Sequence, residues 1–386
     1  MKIVHLCLGN FFIDNYSYQE NIMPKYHVKM GYDVTVIASL ESFDTNGLHV
    51  FLKEESVRND KDGFKVIRIG YKKDYKIPLN RTIRRYRRLY ELLVLEKPDI
   101  IFSHNIAFWD IRKVIQYLKS HSNVDFYCDN HADYINSGTN FLSKNILHKV
   151  IWRSGAKLAV PYIIKSYGVT PLRCDFLTSI YQIPKEKVEL LVMGVDDDLI
   201  PVNRIEVRNN IRAELGIDDN DYVIATGGKI DKRKNIHLLI QAISKINNNN
   251  IHLILFGNII PEMRSAIMPL ISSNIRIHYV GWCNATQIMN YLITSDLVCF
   301  PGTHSTLWEQ SVGLGIPAVF KHWGMMEHVN VCDNCLLIDG DNLDEIRTVI
   351  ESLIFTEEYY KLLKNSKEAS KSFLYSEISK KAIGLC

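Results

Sequence analysis

Runs of apolar, β-branched residues alternate along the first half of the chain with stretches whose apolar positions recur at helical spacing. This alternation is typical of parallel strands joined by helical crossovers. Gly31 follows a helical stretch and marks its end ahead of the next strand. The predicted strands are residues 2–8, 33–38, 99–103, 125–128, 158–160 and 188–192, and the predicted helices are residues 18–30 and a basic one over 81–95.

The chain changes character around residues 189–199 and continues into the polar stretch 201–210, and this region is predicted to be an interdomain linker. The alternation then resumes, which predicts two doubly wound, Rossmann-like α/β domains over residues 1–198 and 199–369. In such sheets ligands lie outside the carboxyl ends of the strands, so the loops there are the expected sites. The second set of strands is predicted at 222–226, 251–256, 275–280, 297–300 and 318–321, with helices at 235–246, 285–294 and 308–314.

A chain of 386 residues is long enough for two such domains. Its eight cysteines are scattered, as expected in a reducing cytoplasm, and the pair Cys332 and Cys335 is interpreted as part of a loop. The sequence shows no signal peptide and no apolar run of about 18 residues, so a cytoplasmic protein with at most peripheral membrane contact is expected. A net charge of +3 gives no support for a nucleic-acid partner.

Residues 227–235 join a predicted strand to a predicted helix and read Gly-Gly-Lys-Ile-Asp-Lys-Arg-Lys-Asn. Gly228 would let backbone amides approach an anion, and Lys229 and Lys234 would supply positive charge. The segment therefore predicts a phosphate site, although its spacing differs from that of a P-loop. A solvated basic turn accounts for the same residues equally well.

Residues 302–310 form a second strand-to-helix connection. Ser305 and Thr306 are placed to cap the helix, and the free amides at a helix start also suit a pyrophosphate. Glu309 or Gln310, one turn into the helix, would accept hydrogen bonds from ribose hydroxyls.

In the first half, His104 and His131 both follow predicted strands and are expected near one sheet edge. Histidines at strand ends are often only structural, and His131 is the preferred candidate for touching a reacting group. The polar and aromatic loop 9–20 is predicted to contact the molecule that receives that group. The predicted contacts are Asp14, Tyr16, Tyr18, Gln19, Glu20 and His104.

Five arginines crowd residues 81–88, where apolar positions recur at helical spacing. This pattern predicts a basic amphipathic helix that docks on an anionic membrane surface or binds an anionic ligand. A solvated face on an ordinary packed helix explains it equally well.

The second half resembles the retaining glycosyltransferases of family 4, and the resemblance extends more loosely over almost the whole chain. Residues 228–235 are similar to the family's Gly-Arg-Leu-x-x-x-Lys-Gly, with Lys229 and Lys234 at the two diphosphate-contacting positions. Gly281 and Trp282 resemble the nucleobase loop. Residues 193–196 and 323–327 resemble the family's Asn-Gly-Val-Asp hinge and Gly-Gly-x-x-Glu segment.

At the family's paired glutamates the sequence departs, because Gly302 falls at the first position. Gln310 falls at the second, and the neighbouring Glu309 is the other candidate for it. Residues 304–310, beginning with His304, look more like the phosphate loop of nonhydrolysing UDP-N-acetylglucosamine 2-epimerases, which share the GT-B fold of the glycosyltransferases. The resemblance implies a GT-B fold with two domains facing a central cleft and a C-terminal helix, about 370–386, that packs on the first domain. It also implies that His131 lies beside the transferred sugar.

These observations predict transfer of a hexose or N-acetylhexosamine from a nucleoside diphosphate sugar, preferably a UDP-sugar, to a hydroxyl of a glycan or lipid-linked acceptor. Neither a metal nor another cofactor is expected, because the lysines and backbone amides would stabilise the departing diphosphate. Two alternatives stay open. One is a UDP-sugar epimerase of the same fold, and the other is a noncatalytic, membrane-associated glycan-binding protein.

Overall fold

The computed structural model of the protein describes residues 1–44, 48–73 and 77–385. The chain divides into two compact units, the first comprising Met1–Val192 with Ile378–Cys386 and the second Met193–Glu377. The sequence-based boundary at residue 198 therefore falls inside the second unit, and Cys386 lies outside the described residues. Among the described helices, none has both the length and the apolar character needed to cross a membrane.

The first unit is built on an eight-stranded sheet that is parallel except for one edge strand. The described strands of the first unit are β1 (Lys2–Cys7), β2 (Asp33–Ser39), β3 (Glu41–Phe43), β4 (His49–Phe51), β5 (Ser56–Asn59), β6 (Lys65–Ile69), β7 (Ile100–His104), β8 (Asp125–Asn130), β9 (Ile163–Gly168) and β10 (Val188–Leu190). Their order is β10-β9-β8-β7-β1-β2-β6-β5, and β3 and β4 form a separate antiparallel pair. The strand order reverses between β1 and β7.

Helices cover the faces of this sheet and bury its apolar runs, as the crossover connections of a parallel sheet require. They are α1 (Gln19–Lys29), α2 (Ile77–Thr82), α3 (Leu89–Glu96), α4 (Ile111–Ser120), α5 (Arg153–Ala159) and α6 (Pro171–Ser179), with a π-helix over Leu142–Trp152 and a 3₁₀ turn over Lys185–Lys187. The core between them contains fully buried side chains such as Leu6, Leu93, Ile101 and Val114.

The predicted basic helix over 81–95 is wrong. Helix α2 ends at Thr82 and α3 begins at Leu89, and between them Arg84 and Arg88 adopt positive φ angles of 54° and 59°. The arginines of this segment are also used within the unit: Arg84 donates to the carbonyl oxygens of Gly9 and Ala107 at 2.6 and 2.8 Å. The apolar positions that indicated a continuous helix include Ile83 and Tyr86, which are buried in the non-helical stretch between α2 and α3.

The predicted strand at 158–160 is also wrong, since α5 runs to Ala159 and the strand starts at Ile163. A short apolar run does not distinguish a buried helix from a buried strand. The structure shows what the helix requires: a Cβ on Gly155 would lie 2.8 Å from Cγ2 of Ile111, so glycine permits the close packing of α5 on α4.

The second unit contains a six-stranded, fully parallel sheet in the order β13-β12-β11-β14-β15-β16. Its strands are β11 (Tyr222–Ile230), β12 (Ile251–Ile259), β13 (Ile277–Gly281), β14 (Leu297–Phe300), β15 (Ala318–Lys321) and β16 (Cys335–Ile338). The helices are α7 (Arg204–Leu215), α8 (Ile236–Lys245), α9 (Pro261–Ser272), α10 (Ala285–Thr294), α11 (Leu307–Gly313), α12 (Leu343–Leu353) and α13 (Glu357–Ala369), followed by α14 (Tyr375–Ala382), within which the chain passes back to the first unit.

The division between the two units, after Val192, lies inside the predicted linker region, but the polar end of that region is not a linker, because α7 begins at Arg204. The side chain of Asn203 caps this helix by accepting from the amide of Glu206 at 3.2 Å. Polar contacts hold the helix in place: Arg208 and Arg212 each donate to the carboxylate of Asp296, at 2.9 and 2.8 Å. A helix attached by ion pairs lacks the apolar periodicity that sequence patterns detect.

Candidate functional site

The strand order of the second unit reverses between β11 and β14, which pair in parallel at Ile224 and Leu297. Loops that leave two such strands open at one place, where ligands of doubly wound sheets bind. The two loops are joined directly, since the amide of Thr303 donates to the carbonyl of Arg233 at 3.0 Å. The two segments singled out from the sequence thus meet at the switch point of the sheet.

Lys234 is fixed at this junction. Its Nζ donates to the carbonyl oxygens of Thr303 and His304, at 2.6 and 3.0 Å. Burial lowers the pKa of this ammonium to about 8, so Lys234 is still positively charged in most molecules of the protein at neutral pH. A Cβ on Gly302 would lie 2.3 Å from the Lys234 backbone, so only glycine allows the loops to approach this closely.

Strand β11 extends to Ile230, so Gly228 and Lys229 belong to the strand and not to the loop. Gly228 has a φ of +102°, and a Cβ there would lie 3.2 Å from Cδ1 of Leu307, the first residue of α11. The Lys229 side chain is exposed. Ile230 thus lies between the exposed Lys229 and Lys234, whose ammonium is bound by backbone carbonyls.

The other predicted donor contacts are distributed around this edge of the second unit. Ser305 Oγ accepts from the amide of Leu307 at 3.2 Å, while Thr306 is exposed and Gln310 half-buried. Gly281 ends β13 with a φ of 76°, and the Trp282 side chain after it is 72% exposed. An indole so exposed offers a free aromatic surface at the carboxyl end of a strand.

Glu309 does not face solvent. It is fully buried, and its Oε1 lies 2.7 Å from Nε2 of His304 and 2.9 Å from Nε2 of His328. Burial alone would raise the pKa of this carboxyl, but the two imidazoles outweigh it and hold the pKa well below its usual range. A direct contact of Glu309 with ribose hydroxyls is therefore not supported, because Oε1 of this carboxylate accepts from His304 and His328 instead.

The same three side chains offer ligand atoms that all lie within 4.8 Å of one another. Two histidines and a carboxylate are a donor set that zinc accepts. Both nitrogen-to-oxygen distances, however, are those of hydrogen bonds in which each imidazole donates to Oε1. Glu309 Oε2 is buried and makes no hydrogen bond within the described part of the chain.

In the first unit, Asp129 at the end of β8 organises the predicted site. The residue is fully buried. Its Oδ2 accepts from Nδ1 of His104 at 2.9 Å and from Gln19 at 3.1 Å, and its Oδ1 accepts from the amide of Asn105 at 2.9 Å. The ring of His131 lies beside the same carboxylate, with Nε2 3.6 Å from Oδ2. His131 is the partly exposed member of this group.

A chain of imidazoles continues behind Asp129. His104 Nε2 lies 3.1 Å from His5 Nδ1, His5 Nε2 lies 2.9 Å from His27 Nδ1, and His27 Nε2 lies 2.9 Å from the carbonyl oxygen of Ser379. The chain of imidazoles ends at the Asp129 carboxylate on one side and at the Ser379 carbonyl on the other, and both groups only accept hydrogen bonds. Four bonds then need four ring protons, one more than three neutral histidines carry.

One of the three imidazoles must therefore be charged if every bond is made. Burial lowers the pKa of His5 and lowers that of His27 to about 4, which keeps both neutral. Burial would lower the pKa of His104 too, but the adjacent Asp129 outweighs it and raises that pKa. The extra proton therefore resides on His104, against a carboxylate whose pKa its neighbours hold below the usual range although burial opposes them.

A cavity of about 500 Å³ opens next to this network. Its lining includes Asn10 and Asn105, from the loops after β1 and β7, where the strand order of the first unit reverses. Hydrogen-bonding side chains dominate the lining, a composition that suits a hydroxyl-rich ligand. The residues that matter most here are Asn10, Arg84, Asn105, His131, Asn136 and His148.

The predicted acceptor residues are divided by burial. Gln19, Glu20 and His104 are buried, so direct contact of these side chains with an acceptor is not supported in this structure. Asp14 pairs with Arg58 and Arg68. Tyr16 and Tyr18 are partly exposed, with ring centroids 5.1 Å apart.

Asp129, His328 and the cavity residues Asn10 and Asn105 were not among the residues predicted from the sequence. Asp129 had a usable signal, since an acid that ends an apolar strand two residues before His131 lies at the same sheet edge. His328 had none, because its contact with Glu309 spans 19 residues and a strand connection.

Comparison with known proteins bears on both units. Residues 207–371 match the family model described as glycosyl transferases group 1. An uncharacterized glycosyltransferase of Methanocaldococcus jannaschii, MJ1607, is 21% identical over 218 residues, which are 54% of this chain. The matched part spans about half (55%) of that relative's length.

Solved structures align over nearly the whole chain. Anabaena Alr3699/HepE in complex with UDP has a TM-score of 0.69 at 16% identity, covering 99% of this chain and 98% of that one. A glycosyltransferase from Rickettsia africae has a TM-score of 0.66 at 16% identity (98% and 96% covered). A putative UDP-N-acetylglucosamine 2-epimerase from Listeria monocytogenes has 0.63 at 12% identity (99% and 95% covered). The protein therefore has the GT-B fold, and residues 207–371 of its second unit match the glycosyl transferases group 1 model.

Proposed function

We propose that the protein transfers a hexose or N-acetylhexosamine from a nucleoside diphosphate sugar to a hydroxyl of a glycan or lipid-linked acceptor, with retention of configuration as in family 4. The group 1 domain in the second unit supports sugar transfer. UDP is the preferred nucleotide, because the structural neighbour from Anabaena was crystallised with UDP and because residues 304–310 resemble an epimerase phosphate loop. Surface polysaccharide or glycoconjugate synthesis is the proposed setting, in the cytoplasm and at the inner face of the membrane.

The observation that carries this proposal is the position of Lys234. Its ammonium is held by two backbone carbonyls at the switch point of the second sheet, where anionic ligands of such sheets bind. A fixed cation stabilises the charge that grows on a departing diphosphate, and it pays no reorganisation cost at that moment. Lys229, on the exposed end of β11, is proposed as the second cation.

In the first unit we assign the reacting sugar to His131 and the acceptor to the adjacent cavity. His131 is partly exposed, and its Nε2 lies 3.6 Å from Oδ2 of Asp129 without a hydrogen-bond partner among the described residues. The amide-rich lining of the cavity can donate to and accept from sugar hydroxyls. These assignments rest on the resemblance and on the geometry of the first unit alone.

The test is UDP release from UDP-glucose and UDP-N-acetylglucosamine, with and without a panel of acceptors. We expect Lys234→Ala to lower turnover about a hundredfold, as when one preorganised charge-stabilising donor is lost. Lys232→Ala removes an exposed lysine two residues away and serves as the matched control. Equal turnover of both variants would remove Lys234 from the donor site. A thermal-shift screen of UDP-, GDP- and dTDP-sugars identifies the nucleotide, because a ligand of the folded state raises stability with its occupancy.

An epimerase of the same fold is the second candidate, favoured by the buried Glu309 that holds His304 in one orientation. An epimerase would interconvert the UDP-sugar without acceptor-dependent release of UDP. The same assay, read by chromatography of the sugar product, separates the two. A noncatalytic binding protein would show neither reaction and no thermal shift with any nucleotide sugar.

A further inference from the structure

An apolar surface stands out on the π-helix of the first unit. We define the apolar ridge as Phe141, Leu142, Ile146 and Val150, whose side chains are 74, 64, 46 and 60% exposed. The last three recur every four residues and so lie along one side of the helix. Clustered exposed apolar side chains of this size are unusual on a protein surface that meets only water.

The segment of the chain that carries the ridge has charges of one sign, and two of its cations, Lys165 and Arg173, pair with Glu189 and Asp133 outside it. Residues 134–174 contain no aspartate or glutamate but six lysines and arginines, whereas the whole chain has a net charge of only +3. Lys144 and Lys149 lie on the π-helix itself, and the exposed Lys157 follows on α5. The ridge is therefore accompanied by lysines on the helix that carries it and on the helix that follows.

Other residues of the same helix line the cavity that contains His131. They are Ser143, Leu147, His148 and Trp152. One helix, about 10–12 Å across with its side chains, thus presents an apolar ridge on one side and cavity-lining residues on another. A molecule whose polar head occupies the cavity has an apolar surface within a helix diameter of it.

We propose that the apolar ridge and its lysines dock the first unit on an anionic lipid bilayer, which presents the lipid anchor of an acceptor next to the cavity. The acceptor role of the cavity rests on the proposed function, whereas the docking does not. Apolar side chains interleaved with lysines suit the boundary between headgroups and acyl chains. A second copy of the chain is a poor occupant, because a symmetric contact would set the same cations against one another.

The basic segment 81–88 is the competing membrane surface, and the structure argues against it. Arg84 donates hydrogen bonds to backbone carbonyls. Arg87 pairs with Glu55 at 2.9 Å, and Arg81 stacks on the ring of Phe51 at 3.7 Å. Two arginines of this segment, Arg81 and Arg88, are nevertheless exposed. They provide a control with an equal change in charge.

The experiment is flotation of the full chain with vesicles of equal parts phosphatidylcholine and phosphatidylglycerol, and with phosphatidylcholine alone. We expect binding to the anionic vesicles, weakened about fivefold for each lysine removed in Lys144→Gln with Lys149→Gln, and at least about tenfold in Phe141→Ser with Leu142→Ser. Arg81→Gln with Arg88→Gln should bind like the unmodified protein. Lys144 and Lys149 are half-buried, and the other substituted side chains are exposed. The melting temperature of each variant is measured to check that it folds.

Unchanged binding of the ridge variants, or loss of binding only in the Arg81 and Arg88 variant, would overturn the proposal. A fall in solution mass from dimer to monomer in the ridge variants would also overturn it, because the ridge would then be a contact between copies. UDP release with a water-soluble acceptor should be unaffected by the ridge variants. If that reaction is absent while anionic vesicles still bind the protein, the proposed function fails and the docking surface stands.

Discussion

Replacing Asp129 by asparagine tests the charged histidine chain of the first unit. Asparagine has the same shape, and its amide group can donate to Nδ1 of His104, so that all three imidazoles complete their bonds while neutral. Asp129→Asn therefore removes the need for an extra proton without opening a cavity. Asp129→Ala, in contrast, removes the carboxylate that lies 2.9 Å from Nδ1 of His104 and leaves that nitrogen without this partner.

The expected loss of stability follows from the bonds that Asp129 accepts in a fully buried site. Hydrogen bonds to a charged group contribute about 1.5–3 kcal/mol each, and Asn retains most of these contacts, so Asp129→Asn should cost about 1–3 kcal/mol of the free energy of unfolding. Removing one partner of a buried charged pair costs about 3–5 kcal/mol, which is the expectation for Asp129→Ala.

The pH dependence distinguishes this network from an uncharged one. The pKa of Asp129 is lowered from 3.8, so its contribution is present above about pH 4 and is lost as pH falls through the folded-state pKa. The pKa of His104 is raised from 6.5, so its contribution is complete below about pH 6.5 and is lost as pH rises through the folded-state pKa. The stability difference between the unmodified protein and Asp129→Asn should be largest between these limits.

Urea unfolding followed by circular dichroism at a series of pH values measures this difference. Asp125→Asn, which changes an exposed carboxylate at the start of the same strand, is the control and should show no such maximum. A difference for Asp129→Asn that stays constant from pH 4 to 8 would refute the charged chain. Nitrogen-15 chemical shifts of His104 provide a direct check, since they report whether both ring nitrogens carry protons.

Three further predictions concern the second unit. Gly302→Ala should destabilise this unit by about 1–3 kcal/mol, as overpacking does, because the new Cβ would lie 2.3 Å from the Lys234 backbone. The control in the same thermal melt is Gly324→Ala, where a Cβ meets nothing within 4 Å. Equal melting temperatures of the two variants would contradict the close approach of the loops. Glu309→Gln should lower the free energy of unfolding, measured by urea at pH 7, by about 1–3 kcal/mol. This loss should shrink as pH falls below about 4.5, because the pKa of Glu309 is lowered from that value. Elemental analysis should find no stoichiometric zinc or manganese in the purified protein, and turnover should persist in EDTA; a bound metal that His328→Ala releases would show that the His304, Glu309 and His328 cluster is a metal site.

Several elements were predictable because their patterns are local. The helix over 285–294 and the strands over 297–300 and 318–321 match the structure residue for residue. Strands buried on both faces must be apolar throughout, and that requirement is visible in the sequence. The failures include the helix predicted over 81–95, which Arg84 and Arg88 interrupt with positive φ angles. They also include α5 and α7, where a short apolar run and a helix attached by Arg208 and Arg212 gave no correct periodic signal.

The sequence by itself determined the two sets of alternating strands and helices and the loops in which Lys234 and His131 lie, because both follow from hydrophobic period and from turn residues. Only the tertiary structure decided which of those loops meet. Lys234 contacts carbonyls 69 and 70 residues away, and Asp129 joins residues up to 110 positions apart. Such contacts depend on strand order, and the burial that separates Glu309 from solvent depends on which helix face meets the sheet. Neither quantity has a local signature, since both are fixed by the packing of segments that are distant along the chain.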